Sequence, residues 1–374
     1  MKICFITPFF HPVKGGMEEH VFQLAKGLIS KGHEVHVFTS NSSRYGKILV
    51  KEEVYENIHI KRFNTLFKLD TFSPVFPFVI YDIINSNFDI VHVHSYRHVH
   101  NLAVLFTKAK CFMTLHWPDY PKGLRSKVMD FIIPVFDNTI GKFLLKRYDK
   151  LIAVNGLEID WIKNNFNINE NKIKLIPNGI PKSYLKPSNS NIIRKKFNIK
   201  NNELIVLSFS RMHKSKGLDL TVKVAKFFPK VKFLIAGADS GELSNLKNLS
   251  SVLKLNNIIF FNDVPESSKL NVFSSADIFL FPSHYDAFGI VLLEAFSKKL
   301  AVLASDSGGI PWVVDNSGLI FNDNNLDDLK NKLSLLINNS KIRNKYSKLG
   351  YERVKNFTWE NIVDSLEYEY KSKL

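Results

Sequence analysis

A chain of 374 residues with 51 Lys and Arg against 35 Asp and Glu carries a formal net charge of +16, which implies attraction to something anionic. The length suffices for two domains of ordinary size, and 45% apolar residues fit a globular protein. Two cysteines, Cys4 and Cys111, both in apolar runs, exclude a disulfide framework and a cysteine zinc site; they suit a reducing compartment and read as core fillers.

In chain order, Met1 to Phe10 is basic and then apolar, but Pro8 and Pro12 interrupt it and Gly15-Gly16 follows, so it reads as a first strand, Lys2 to Thr7, and not as a leader. Glu18 to Ser30 then places Val21, Leu24, Ala25 and Leu28 on one helix face, with Gly32 closing the helix. Strands are expected at 35–39, 58–63, 90–94, 111–115, 151–154 and 173–176. After Pro181, Pro187 and the polar run Ser188 to Asn191 the scheme restarts, with strands at 204–208, 231–236, 258–261, 278–281 and 301–304. Apolar, β-branched runs alternating with amphipathic helical patterns argue for parallel sheets built from βαβ units. The expected domains are 1–182 and 183–356, each a doubly wound α/β unit, and 357–374 reads as a terminal amphipathic helix. Two such units facing a cleft would bind ligands at the carboxyl ends of their strands. No run reaches the roughly eighteen apolar residues of a membrane span, and the longest candidate, Phe72 to Tyr81, contains Pro74 and Pro77.

The richest segment is Pro282 to Ala295, PSHYDAFGIVLLEA, which sets Asp286 and Glu294 eight positions apart around Gly289. Asp286 falls in a loop after an apolar strand, and Ile290 to Ala295 reads as a buried helix whose only charge is Glu294. A helix rises roughly 1.5 Å per residue, so Gly289 to Glu294 covers about 7 Å, the scale of a diphosphate and part of a ribose. The N–H groups of Gly289, Ile290 and Val291 would be unpaired donors aimed at an anion. One carboxylate could then take sugar hydroxyls and the other ribose hydroxyls.

This segment resembles the E-x7-E signature of the retaining glycosyltransferases of family 4, which have the GT-B fold, with Asp286 standing where the family usually has its first glutamate. Further pieces lie in the family's order: Gly15-Gly16, Thr114-Leu115-His116-Trp117, Ile176-Pro177-Asn178-Gly179-Ile180, Arg211 with Lys216-Gly217, and Gly308-Gly309-Ile310-Pro311. They span nearly the whole chain. The resemblance implies that Arg211 and Lys216 grip a donor diphosphate, that His116 reaches the donor sugar near its reacting centre, and that backbone near Asp263 and Val264 reads the base. It implies donor contacts along Phe288, Gly289, Ile290 and Val291, and a last helix that crosses back onto the first domain. Ser210 replaces a usual glycine, and Trp312 a usual glutamate.

Blander readings stand beside these. Arg211 to Lys216 could be an ordinary basic loop, Gly15-Gly16 a plain connecting turn in place of a close approach to phosphate or sugar, His116 a capped structural imidazole, and Glu294 a satisfied buried acid. Asp286 is one methylene shorter than glutamate, which withdraws its carboxylate by about 1.5 Å, so the loop must move in or a water must bridge. His92 and His94 are expected on alternate faces of their strand and therefore not at one metal; His94 could line the acceptor side or simply pack. The Gly308-Gly309 loop is expected to be structural, and Asn178-Gly179 a turn.

The expected activity is transfer of a hexose or N-acetylhexosamine from a UDP- or GDP-sugar to a lipid or saccharide hydroxyl, with retention. No cofactor or metal is expected: aspartates spaced as D-x-D are absent, and Arg211, Lys216 and a helix N-terminus would neutralise the leaving diphosphate. An epimerase or hydrolase of the same fold would turn over donor without acceptor, and a basic nucleotide-sugar or polyanion binding module would bind without turnover. Nucleic acid is not an expected partner, since basic residues are spread through both halves with no RNP-like or zinc-finger motif. The basic, aromatic stretch Tyr120 to Lys150 is a candidate for an anionic membrane surface, which would make a cytoplasmic protein peripheral on the inner face of the plasma membrane; a buried amphipathic segment with solvated lysines is the alternative.

Overall fold

The computed structural model describes the chain apart from residues 44–45, 70–72, 117, 119–126 and 190, and the side chains of 127–128. It divides into two compact units, Met1–Asn178 with Trp359–Leu374, and Gly179–Thr358.

The first unit holds β1 (Lys2–Thr7), β2 (Glu34–Ser40), β3 (Glu52–Tyr55), β4 (Ile58–Phe63), the short ribbon β5 (Phe67–Lys68) and β6 (Pro74–Val75), then β7 (Ile90–His94), β8 (Lys110–Thr114), β9 (Lys150–Ala153) and β10 (Ile173–Leu175). All but the ribbon form one sheet in the order β10-β9-β8-β7-β1-β2-β4-β3, and the order reverses direction between β1 and β7. Side chains alternate across a strand. Ile3 and Phe5 of β1 therefore enter the core on one face, with Val21, Leu24 and Leu28 of the helix Gly16–Ser30, whereas Cys4 and Ile6 enter the core on the other. The expected apolar stripe of that helix does this packing. The terminal helix Trp359–Lys371 lies in the same core through Trp359, Ile362, Val363, Leu366 and Tyr370.

Several short elements escaped the sequence reading, among them β3 and the ribbon β5–β6. β3 is polar (Glu52, Glu53), and it pairs antiparallel to β4 across Glu56-Asn57, whose φ values of 51° and 63° are those of a two-residue hairpin turn. That turn usually announces itself with glycine, and here it does not.

The second unit carries β11 (Ile205–Phe209), β12 (Lys232–Gly237), β13 (Ile258–Asn262), β14 (Ile278–Phe281), β15 (Ala301–Ser305) and β16 (Leu319–Phe321), in the order β13-β12-β11-β14-β15-β16 with every pair parallel. This is the doubly wound order, and its crevice opens where the connections diverge, between β11 and β14. The chain enters the unit after Asn178 and leaves it after Thr358, a few residues from the expected 182/183 and 356/357. The stretch around Pro181 and Pro187, after which the strand scheme restarts, is held down: Lys298 Nζ donates to the carbonyls of Tyr184 and Lys186, each at 2.7 Å.

Candidate active site

In the second unit the loops leaving β11 and β14 are laced together. His284 N donates to Ser215 O at 2.9 Å, and Ser283 Oγ to the same carbonyl at 3.2 Å. Lys216 Nζ then reaches Asp286 Oδ2 at 2.7 Å and faces the Tyr285 carbonyl at 3.5 Å. Both side chains are mostly covered, so this is a sheltered ion pair at the mouth of the switch point. Arg211 sits just past the end of β11, partly buried, with its neighbour Met212 bridged to Asp239 beyond β12. Asp286 is further fixed from behind by Gly309, whose N–H donates to the Asp286 carbonyl at 2.9 Å.

Gly289 takes φ +79° and caps the helix Ile290–Ser297, the first turn of which carries the donors expected to meet an anion. Ile290 and Val291 are partly buried, as is Val264 beyond the end of β13, but Phe288 is buried in an aromatic group with Trp312 and Phe357, ring centroids 6.1 and 6.2 Å away. Only the backbone of Phe288 can therefore address a ligand. Glu294 is 3% exposed, and its Oε1 lies 2.5 Å from Nζ of Lys269, on the helix Glu266–Ser274. Burial opposes the charge on Lys269, but Glu294 and Glu266 outweigh it and raise the ammonium's pKa above its ordinary value. The Lys269 ammonium also lies 5.9 Å from the Phe209 ring centroid at the end of β11. Nothing in the sequence signalled Lys269, because it comes from a helix that joins Glu294 only through packing.

In the first unit, Gly15 and Gly16 open the helix that follows β1, and a Cβ at Gly16 would meet nothing within 4 Å, so the space beside it is open. Four residues on, His20 turns inward with its Nδ1 2.5 Å from Asn178 Oδ1. His116 follows β8 with φ +61°, an uncommon conformation for a side chain of its size, and its Nε2 stands 3.1 Å from His94 Nδ1 at the end of β7. The rings of His20 and His116 meet edge to face with centroids 5.0 Å apart. Burial pushes the His20 imidazole down to about 4, and burial followed by neighbouring imidazoles holds His94 and His116 well below the usual range. All three stay neutral near pH 7, with one ring nitrogen from each lying within 4.8 Å of the others. Neutral imidazoles at that spacing can pass hydrogen bonds or ligate a cation.

Two readings change here. His92 and His94 do not lie on alternate faces: their rings stack at 4.4 Å, since residues two apart on a strand share a face. His92 is structural, its Nδ1 at Tyr370 Oη (2.5 Å) and its Nε2 at Thr114 Oγ1 (2.8 Å). His20 and Asn178 were not singled out as site residues, although His20 lies in the apolar stripe of its helix, where an imidazole had to find a polar partner.

The model for glycosyl transferases group 1 matches residues 189–353, and the model for glycosyltransferase family 4 matches residues 14–184. The chain is 27% identical to the phosphatidylinositol N-acetylglucosaminyltransferase gpi3 subunit of Schizosaccharomyces pombe, over 98% of this chain and 80% of that one. It is 24% identical to the D-inositol 3-phosphate glycosyltransferase of Mycolicibacterium smegmatis, over 95% and 86%. Among solved structures, Anabaena HepE in complex with UDP and glucose superposes with a TM-score of 0.78 at 18% identity, covering both chains completely.

Proposed function

The chain belongs to the family 4 glycosyltransferases and has their GT-B fold, and from that premise we propose that it moves a hexosyl or N-acetylhexosaminyl group from a UDP- or GDP-sugar to a hydroxyl, with retention, in the synthesis of a lipid-linked glycan or cell-surface polysaccharide. The observation that carries this reading is the Lys216–Asp286 pair at the switch point of the second unit. It sets a cation for phosphate beside a carboxylate for sugar hydroxyls, as a sugar nucleotide requires. Arg211 and the amides opening the helix Ile290–Ser297 supply further positive character for the diphosphate. Glu294, with Lys269, takes the ribose.

In this mechanism the bond from the anomeric carbon to the β-phosphate oxygen breaks and the acceptor oxygen bonds to the same face of that carbon. The acceptor's proton passes to the departing phosphate. Lys216, Arg211 and the helix amides stabilise the charge that develops on the diphosphate, so no divalent cation is needed. His116, neutral and in reach of His94, holds the sugar by hydrogen bonds and is not a proton donor near pH 7.

Support also comes from the relatives: two are named as glycosyltransferases acting on inositol compounds, and HepE was solved with UDP and glucose. The test is a panel of UDP- and GDP-sugars scored by melting temperature and then by transfer with a chelator present. A donor at a hundred times its dissociation constant should stabilise the protein by about 2.7 kcal/mol. If no sugar nucleotide shifts the transition, the proposal fails. If one does and is only hydrolysed over a broad acceptor panel, the hydrolase alternative replaces it.

A further inference from the structure

The helix Lys127–Phe136, a π turn Asp137–Gly141 and the helix Lys142–Arg147 run on continuously in the first unit, and their two sides differ in kind. One side is moored. Leu144 and Leu145 are buried in the core, Arg97 Nη2 pairs with Asp137 Oδ2 at 2.5 Å, and Tyr96 Oη donates to Asp137 Oδ1 at 3.1 Å. Gly141 lies so close to that tyrosine that a Cβ would stand 2.0 Å from its hydroxyl.

The other side is open and apolar. Phe131 is 76% exposed, and Ile132, Val135, Ile140 and Phe143 are each 49–54% exposed. Val135 and Ile140 are five positions apart, a spacing that would part them on an α-helix, but the π turn closes over five residues and returns them to one stripe. Single exposed apolar residues need no explanation; five in a row on a segment anchored from behind do. Lys142, Lys146 and Arg147 flank one end of the stripe, with the Arg147 guanidinium 4.9 Å from the Phe143 ring centroid. Among the described residues none of these three cations is paired with a carboxylate.

We propose that this face is an interfacial helix that seats the protein on an anionic lipid bilayer, the apolar stripe entering the acyl boundary and the three cations meeting lipid phosphates. An apolar stripe bordered by unpaired cations matches the layered chemistry of such a surface, apolar beneath and anionic above. A protein partner would need carboxylates against Lys142, Lys146 and Arg147, and a second copy of this chain would set like charges against like. The surface is independent of the transfer reaction proposed above, so the two can fail separately. Residues 120–126 of the stretch Tyr120 to Lys150 lie outside the described residues.

The test is sedimentation of the full chain with vesicles of phosphatidylcholine alone or with about a third phosphatidylglycerol. The expected result is binding that requires the anionic lipid, weakens with salt, and falls at least tenfold in the Phe131→Glu/Ile140→Glu and Lys146→Glu/Arg147→Glu variants, with circular dichroism and sugar-nucleotide binding unchanged. Should a charge variant fold poorly, the Phe143→Trp protein still reports: brominated acyl chains should quench its added fluorescence. Equal binding to neutral vesicles, no loss in either double variant, or no quenching would overturn the proposal. So would a dimer that the Phe131→Glu/Ile140→Glu variant dissociates while vesicle binding stays unchanged.

Discussion

Lys269 and Glu294 form a buried ion pair, Nζ to Oε1 at 2.5 Å, that ties the helix after β13 to the helix after β14. It makes Glu294 a held acid, oriented before any ligand arrives. In the proposed donor complex a carboxylate so placed would lose little freedom on accepting ribose hydroxyls, which is how a buried charge can serve binding.

Removing only one partner strands the other. Lys269→Met should cost about 3 kcal/mol of stability, because an uncompensated charge remains in a covered site. The double variant Lys269→Met/Glu294→Gln should recover most of that stability in urea unfolding and none of the transfer activity. If the double variant transfers sugar normally, Glu294 has no part in donor binding.

For Lys216 and Asp286, at 2.7 Å, a double-mutant cycle is the proper measure. Lys216→Ala and Asp286→Asn should each lower kcat/KM, and the double variant should lose less than the sum, with a coupling of about 1 to 3 kcal/mol. Arg211→Ala should remove most transfer with the fold intact, as judged by circular dichroism. Simple additivity between Lys216 and Asp286 would show that the pair does not act as a unit.

Gly308 has φ +58°, and a Cβ there would stand 2.2 Å from the Asp286 carbonyl oxygen. Gly308→Ala should therefore displace the Asp286 loop. We expect a stability loss of about 1 to 3 kcal/mol and a larger proportional loss of transfer than of melting temperature. A variant with wild-type kcat/KM would dissociate this loop from the chemistry.

The histidines predict a pH response. Burial lowers His20 from 6.5 to about 4, so between those values the unfolded chain takes up a proton that the folded chain refuses. Stability from this group is fully present above pH 6.5 and is lost as pH falls toward 4, by about 3 kcal/mol for a shift of that size. His98, lowered to about 4 by burial, acts in the same direction. Urea midpoints at pH 7 and pH 5 should show the fall, and His20→Gln should reduce it. An unchanged midpoint would mean that the imidazoles are hydrated.

Much of this molecule was legible before folding was considered. Most parallel strands of both units were marked by apolar runs between glycine and proline punctuation, while the three-residue β16 was too short to show and β3 was hidden because its residues are polar and its turn lacks glycine. Glu294 stood out as a lone charge in an apolar helix and Asp286 by its spacing from it, whereas Arg211 and Lys216 were singled out through the resemblance of their loop to the family's motif. His94 was misread only in direction. Lys269 and His20 were not seen as site residues, since neither lies beside its partner in the chain.

The sequence alone determined the two doubly wound units and the parallel course of most of their strands, because these follow from local periodicity and composition. Tertiary structure alone decided that Lys216 meets Asp286, that Lys269 meets Glu294, that His20, His94 and His116 bring ring nitrogens within 4.8 Å of one another, and that an apolar stripe is left uncovered. Those relations join segments remote in the chain, and only packing, which sets the position of each side-chain tip to within a few tenths of an ångström, can establish them.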